Sequence, residues 1–207
     1  MIIIHYLGAM NYLAHIYLSG KDDELKIGNF IADSIKGNKY SEFCEGIKNG
    51  IFLHRKIDTF TDAHPVVRKS TARLMPKFGL YSGVIVDMLY DHFLAANWKD
   101  YHPQDLNGYV AEFYDLLHRN RLILPKRVQR FLPHMVEHNW LVSYASIHGM
   151  EKILFQMNQR VKNDVQLHLA IQDLEQHYSE FEEEFREFFQ LLIDYVREER
   201  IKLENEK

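Results

Sequence analysis

The sequence has a single cysteine, Cys44, which excludes both an intrachain disulfide and a zinc site built on several thiolates. Only five prolines and ten glycines interrupt 207 residues. Apolar alternation with a period of two is nearly missing, so a fold of short strands and tight turns is not expected. No apolar run is long enough to span a membrane, and Met1–Met10 lacks the basic stretch of a secretory signal. The net charge of −4 gives no reason to expect nucleic acid or an anionic membrane as a partner. Together these absences lead to the expectation of a reducing, cytoplasmic location. Met10 offers a second translation start, which would leave residues 1–9 as an N-terminal extension; the intact mass of the native protein distinguishes the two starts.

What is present is apolar and helical. Hydrophobic residues make up 46% and aromatics 13% of the chain, enough for a dense core, and the length suits one domain over residues 1–207. Spacings of three and four between apolar residues predict an all-α, single-domain helical bundle. Helices are expected over Asn11–Leu18, from Glu24 through Asp33, from Ser41 to Asp62, and from Pro65 to Met75. His64 should end the third, because the residue before proline disfavours the helical region, while Pro65 suits the first turn of the next. Further helices are expected through Asp87 and Asp91 to near Trp98, then over Asp105–Arg119, Lys126–Glu137, a short piece near Tyr144, and Glu151–Arg160. A last, longest helix is expected from Val165 to Glu204. Its stripe of Tyr178, Phe181, Phe185, Phe188, Leu192 and Tyr195 should face the core, leaving Glu180, Glu182, Glu183, Glu184 and Glu187 on a solvated face.

The chemistry-bearing residues concentrate between Asn49 and Trp98. In a helix, His54, Asp58 and Asp62 fall at successive i, i+4 positions on one face, and Asp87 and Asp91 do the same with His92 one position round. Acids and imidazoles at this density among apolar residues are costly to bury unless something positive sits among them. Asp33, after Phe30-Ile31-Ala32, is a further buried-carboxylate candidate. His15, in Leu13-Ala14-His15-Ile16-Tyr17, reads either as a hydrogen-bonded core histidine or as another ligand. Oxygen and imidazole donors without thiolates suit Mg²⁺, Mn²⁺ or Fe²⁺ better than structural zinc. A helical bundle presenting His and Asp to one metal resembles the HD-type phosphohydrolases, in which the ion polarises a phosphoryl oxygen and activates water. Arg55 and Arg68 are the nearest candidates for holding a phosphate.

The motifs Asn11-Tyr12-Leu13-Ala14-His15, Gly28-Asn29-Phe30-Ile31-Ala32-Asp33, Gly50-Ile51 with His54-Arg55 and Ile57-Asp58, Thr61-Asp62, and Asp87 with Asp91-His92-Phe93-Leu94 together resemble the acyl carrier protein phosphodiesterases. Asn97-Trp98, Trp140-Leu141 and Tyr144 extend the likeness. The resemblance implies hydrolysis of holo-acyl carrier protein to the apo-protein and 4′-phosphopantetheine, with a divalent metal, typically Mn²⁺. By matching position it implies catalytic roles for Asp33, His54, Asp58 and Asp62. Asp33, His54 and Asp58 lead the metal-ligand set, followed by Asp87 and Asp91, with His92 and His15 as further members. Unlike ordinary HD proteins, the chain has no adjacent His-Asp pair; its one adjacency is reversed, Asp91-His92. An acidic carrier protein as partner also implies a basic face, for which Arg55, Lys56, Arg68, Lys69, Arg73 and Lys77 are candidates, with Arg55, Arg68 and Arg73 contacting substrate. Lys126, Arg127 and Arg130 form a second patch. Two other readings stay open: a metal-dependent hydrolase of a nucleotide or other small phosphoester, and a non-catalytic helical protein with an idle site.

Overall fold

Capping chemistry sets many of the helix ends. Asp22 accepts the backbone N–H of Leu25 at 2.9 Å, and Asp105 and Ser146 do the same for Gly108 and Gly149. His64, extended at φ −73° and ψ 131°, separates two long helices as a residue preceding proline must, and Pro65 opens the second of them. Gly79, at φ +52°, closes that second helix with a backbone conformation side-chain-bearing residues rarely adopt.

The structure, a computed structural model, describes residues 11–159 and 165–205, and among these no strand occurs. The helices are α1 (Tyr12–Leu18), α2 (Asp23–Ile31), α3 (Glu45–Ala63), α4 (Pro65–Phe78), α5 (Ser82–Ala96), α6 (Trp98–Tyr101), α7 (Leu106–Arg119), α8 (Lys126–Glu137), α9 (Trp140–Ser143), α10 (Ile147–Asn158), α11 (Ala170–Gln176) and α12 (Tyr178–Asn205). Short 3₁₀ turns cover Ala32–Ser34, Gly37–Glu42 and Gly79–Tyr81. The all-α expectation holds. One buried apolar core runs through these helices from Leu13 to Val196.

Several boundaries differ from expectation. The third helix starts at Glu45, because Gly37–Glu42 forms a separate 3₁₀ stretch. Asp33 sits in the 3₁₀ turn after α2 and not on the helix itself. The expected Val165–Glu204 helix is broken at His177 into a 3₁₀ turn, α11 and α12. The apolar stripe of α12 does face the core, with Phe181 and Phe185 fully buried. Residues 1–9, and Arg160 at the end of an expected helix, lie outside the described residues.

The contact that positions the site is between α2 and α3. A Cβ on Gly28 would stand 2.1 Å from the carbonyl oxygen of Ile47, and one on Gly50 would stand 2.4 Å from that of Leu25. The two helices therefore touch backbone to backbone, which places Asn29 beside His54, one turn beyond Gly50. Gly28→Ala is expected to cost at least the ~1–3 kcal/mol typical of overpacking, since backbone atoms and not flexible side-chain ends must move. Urea denaturation measures it; a variant as stable as the parent would show that the helices separate freely.

Candidate active site

Three elements bring four titratable side chains to one place: His15 from α1, His54 and Asp58 from α3, and Asp33 from the turn after α2. Nε2 of His54 lies 3.3 Å from Asp33 Oδ1 and 3.1 Å from Asp58 Oδ2, while Nε2 of His15 lies 3.3 Å from Asp58 Oδ1. The imidazole rings stack with centroids 4.1 Å apart. Both histidines are buried, whereas Asp33 and Asp58 are partly open to solvent.

One asparagine orders this cluster. The Nδ2 group of Asn29 donates to the His15 carbonyl and to Ser19 Oγ, each at 3.0 Å. A carbonyl can only accept, so the amide cannot be reversed, and its Oδ1 must face the two rings. Oδ1 accordingly accepts from Nδ1 of His15 at 2.6 Å and from Nδ1 of His54 at 3.2 Å. With a proton on each Nδ1, the neutral rings turn their Nε2 lone pairs toward Asp33 and Asp58. Both Nε2 atoms and Asp33 Oδ2 are buried and lack hydrogen-bond partners among the described residues. Lone pairs facing carboxylates repel unless a cation lies between them. A proton or a metal ion satisfies that requirement: His15, His54 and Asp58 offer ligand atoms within 4.8 Å of one another, a set that suits a divalent ion, and Asp33 adjoins it through His54. Asn29 was not among the expected site residues, although it stands in the Gly28–Asp33 motif that carries the family resemblance.

The electrostatics of the protein without metal follow. Burial works against charge on His54, but the adjacent carboxylates of Asp33 and Asp58 outweigh it and push the imidazole up to about 10. Burial, and then the charge on His54, lower His15. Burial opposes ionisation of Asp58 as well, yet its two histidine neighbours hold it well below the usual carboxylate range. His54 is thus favoured as an imidazolium in the fold relative to an unfolded value of about 6.5. Its contribution is complete below that value and is lost as pH rises through about 10. Chelator-treated protein should therefore unfold at lower urea concentration at pH 9.5 than at pH 6.5; a midpoint that stays level or rises would contradict the arrangement.

Asp62 and Asp87 face an adjoining cleft of about 590 Å³ between α4 and α5, which Arg68 also lines. Burial, and then the charge on Asp58, raise Asp62. Burial, and then the charges of Asp58, Asp62, Asp91 and Asp33, push Asp87 well above the usual range. Asp87 therefore lies within the field of the cluster.

Asp91 and His92 do not join the cluster, which corrects the expectation that they are ligands. The carboxylate of Asp91, fully buried, accepts the backbone N–H groups of Leu13 and Ala14 at 2.9 and 2.8 Å, and so caps the start of α1 from a distance. Burial pushes its carboxyl up to about 8 against that hydrogen bonding. Both ring nitrogens of His92 are engaged, Nδ1 with the Tyr144 carbonyl at 2.7 Å and Nε2 with the Tyr178 hydroxyl at 3.1 Å.

Arg73 is corrected too. It forms a two-pronged ion pair with Glu184 at 2.8 and 2.7 Å and lies over the Phe181 ring, so it is unavailable to substrate. Glu184 is itself buried, contrary to the solvated face expected of α12. The basic face is largely neutralised: Lys69 pairs with Glu184, Lys77 with Asp173 and Lys56 with Glu199. Arg55 is exposed, over the rings of Tyr40 and Phe52, and does not line the cleft. Of the three arginines, only Arg68 lines the cleft.

A helical fold with a buried cluster of imidazoles and carboxylates, and beside it a cleft lined by Asp62, Asp87 and an arginine, has the makings of a hydrolase. Comparison with known proteins gives the family: the model described as acyl carrier protein phosphodiesterase matches residues 10–192. The chain belongs to the acyl carrier protein phosphodiesterase family. A protein of that name from Pectobacterium atrosepticum is 29% identical over 193 residues, spanning 93% of this chain and 100% of the relative. One from Photorhabdus laumondii is 28% identical over 186 residues, spanning 89% and 94%, and one from Yersinia pestis is 30% identical over 198 residues, spanning 93% and 100%. No solved structure matches the chain. No helix among the described residues is long and apolar enough to cross a membrane.

Proposed function

We propose that this chain hydrolyses the phosphodiester joining 4′-phosphopantetheine to a serine of holo-acyl carrier protein, in the cytoplasm, with a divalent metal held by Asp33, His54, Asp58 and His15. The observation that carries the reading is the pair of buried imidazoles, fixed by Asn29, whose Nε2 atoms meet Asp33 and Asp58 without a hydrogen-bond partner. Mixed nitrogen and oxygen donors favour Mn²⁺ or Fe²⁺ over Mg²⁺, whose sites are mostly oxygen. The likeness to HD-type hydrolases rests on this donor chemistry. When bound, such an ion polarises a phosphoryl oxygen and lowers the pKa of water.

The side chains divide the remaining work. Arg68, at the cleft edge, holds the phosphate through charge-assisted hydrogen bonds. The bond that breaks joins phosphorus to the serine oxygen, and the bond that forms joins phosphorus to the oxygen of water. Asp62, facing the cleft, accepts the proton water gives up, and Asp87, held toward its protonated form, returns one to the departing serine oxygen. The single free cysteine, exposed Cys44, suits a reducing compartment.

The test is incubation with holo-acyl carrier protein and Mn²⁺. The carrier should lose the mass of phosphopantetheine, and the loss should stop with chelator. Several carrier proteins left intact under these conditions would overturn the proposal.

A further inference from the structure

The cleft between α4 and α5 is graded in polarity along its length. Its α4 wall is built from Val67, Arg68, Thr71, Ala72, Met75 and Pro76, pairs of residues on three successive turns of one helical face. Gly83 and Asp87, one turn apart on α5, form the other wall. Because α5 runs back along α4 after the Gly79–Tyr81 turn, Asp87 lies toward the Asp62 and Arg68 end, and Gly83 lies toward Met75 and Pro76. The end next to the His/Asp cluster is therefore charged, and the far end is apolar. Arg68 and Pro76 are eight residues apart, about 12 Å along a helix. A volume of about 590 Å³ falls within the ~300–1,000 Å³ of small-molecule sites.

We infer that this cleft is the subsite for the pantetheine arm: Arg68 meets the phosphate beside the cluster, and the chain of methylenes and amides runs outward between α4 and α5 to Met75 and Gly83. The inference rests on the phosphodiesterase reading and goes beyond it by assigning the arm a place. Polarity selects the direction: Arg68, the one cationic side chain lining the cleft among the described residues, stands at the polar end it shares with Asp62 and Asp87, and the largely apolar remainder of the arm meets the apolar floor. At its far end the α5 wall is Gly83, which carries no side chain and leaves space beside Met75 and Pro76. A free nucleotide would instead bring a polar, planar base to Met75 and Pro76.

Gly83 makes the test clean. A Cβ built there meets nothing within 4 Å, and the residue lies in the first turn of α5, so a larger side chain enters the cleft without displacing backbone. Calorimetric titration in Mn²⁺ of the parent, Gly83→Phe and Ala72→Phe with 4′-phosphopantetheine, and separately with inorganic phosphate, reads arm and phosphate apart. Thermal unfolding of the variants checks that they fold. The parent is expected to bind phosphopantetheine at least tenfold more tightly than phosphate. Each phenylalanine should remove most of that preference while phosphate binding stays within twofold. A folded Gly83→Phe that keeps the preference overturns the subsite, as does a parent that binds both ligands alike. If the parent strips holo-carrier yet shows no preference, the subsite falls and the phosphodiesterase reading stands. If it binds the arm in a Gly83-dependent way but cleaves no carrier, the subsite stands and that reading falls.

Discussion

Asp58→Asn is expected to lower kcat/KM for release of phosphopantetheine by about 10³ or more, with the fold intact. Asp58 contacts both histidines, at 3.3 Å and 3.1 Å, and is the only acid of the cluster to do so. The amide matches the carboxylate in shape but removes the anion on which His15, His54 and a bound cation all depend. A loss of that size is about 4 kcal/mol of transition-state stabilisation, reasonable for a group whose charge is both structural and chemical. Metal content should fall in parallel, measured by elemental analysis of protein purified without chelator. Retention of more than a tenth of parental activity would place the chemistry elsewhere. Asp91→Asn is the informative contrast. Its carboxylate serves the N–H groups of Leu13 and Ala14, so the damage should appear first in stability.

The second large effect should come from Asn29→Leu. Leucine fits the volume but strands two buried donors, the Nδ1–H groups of His15 and His54, and takes one donor each from the His15 carbonyl and the Ser19 hydroxyl. At ~1–3 kcal/mol for each unsatisfied donor, the expected loss is about 2–6 kcal/mol, a large part of a domain's total stability. Chemical denaturation reads it directly. The Ser19 hydroxyl still donates to the His15 carbonyl at 2.8 Å, so neither of those groups is left unpaired. A loss below about 1 kcal/mol would mean that the rings hold their orientation without the amide, and the account of the tautomers would fail. Asn29→Asp keeps an acceptor for the rings but brings a third anion beside them, so its metal affinity and pH profile should both change.

Periodicity made the helices and the His54–Asp58–Asp62 face legible, because a 3.6-residue repeat is a local property. It could not rank the acids on α5. Asp87 and Asp91 share a face, yet one turn of helix separates a position at the cleft from one under the start of α1. A carboxylate that caps a helix looks, in sequence, like one that binds a cation. The basic stretch from Arg55 to Lys77 misled for a related reason: Glu184, Glu199 and Asp173, which neutralise much of it, lie about a hundred residues or more further along the chain. Asn29 was overlooked because an amide carries no charge to announce itself, and its importance depends on a helix crossing that two glycines permit only in three dimensions.

Glu184 has one more effect on the cleft. It gathers Ser70, Lys69 and Arg73, so the α4 wall is moored to α12 as well as to α5, where Ser70 meets the Tyr90 hydroxyl. One wall of the cleft is thereby held in part from the far end of the polypeptide. Loosening that mooring would widen the slot and slacken substrate hold while leaving every donor atom of the centre untouched.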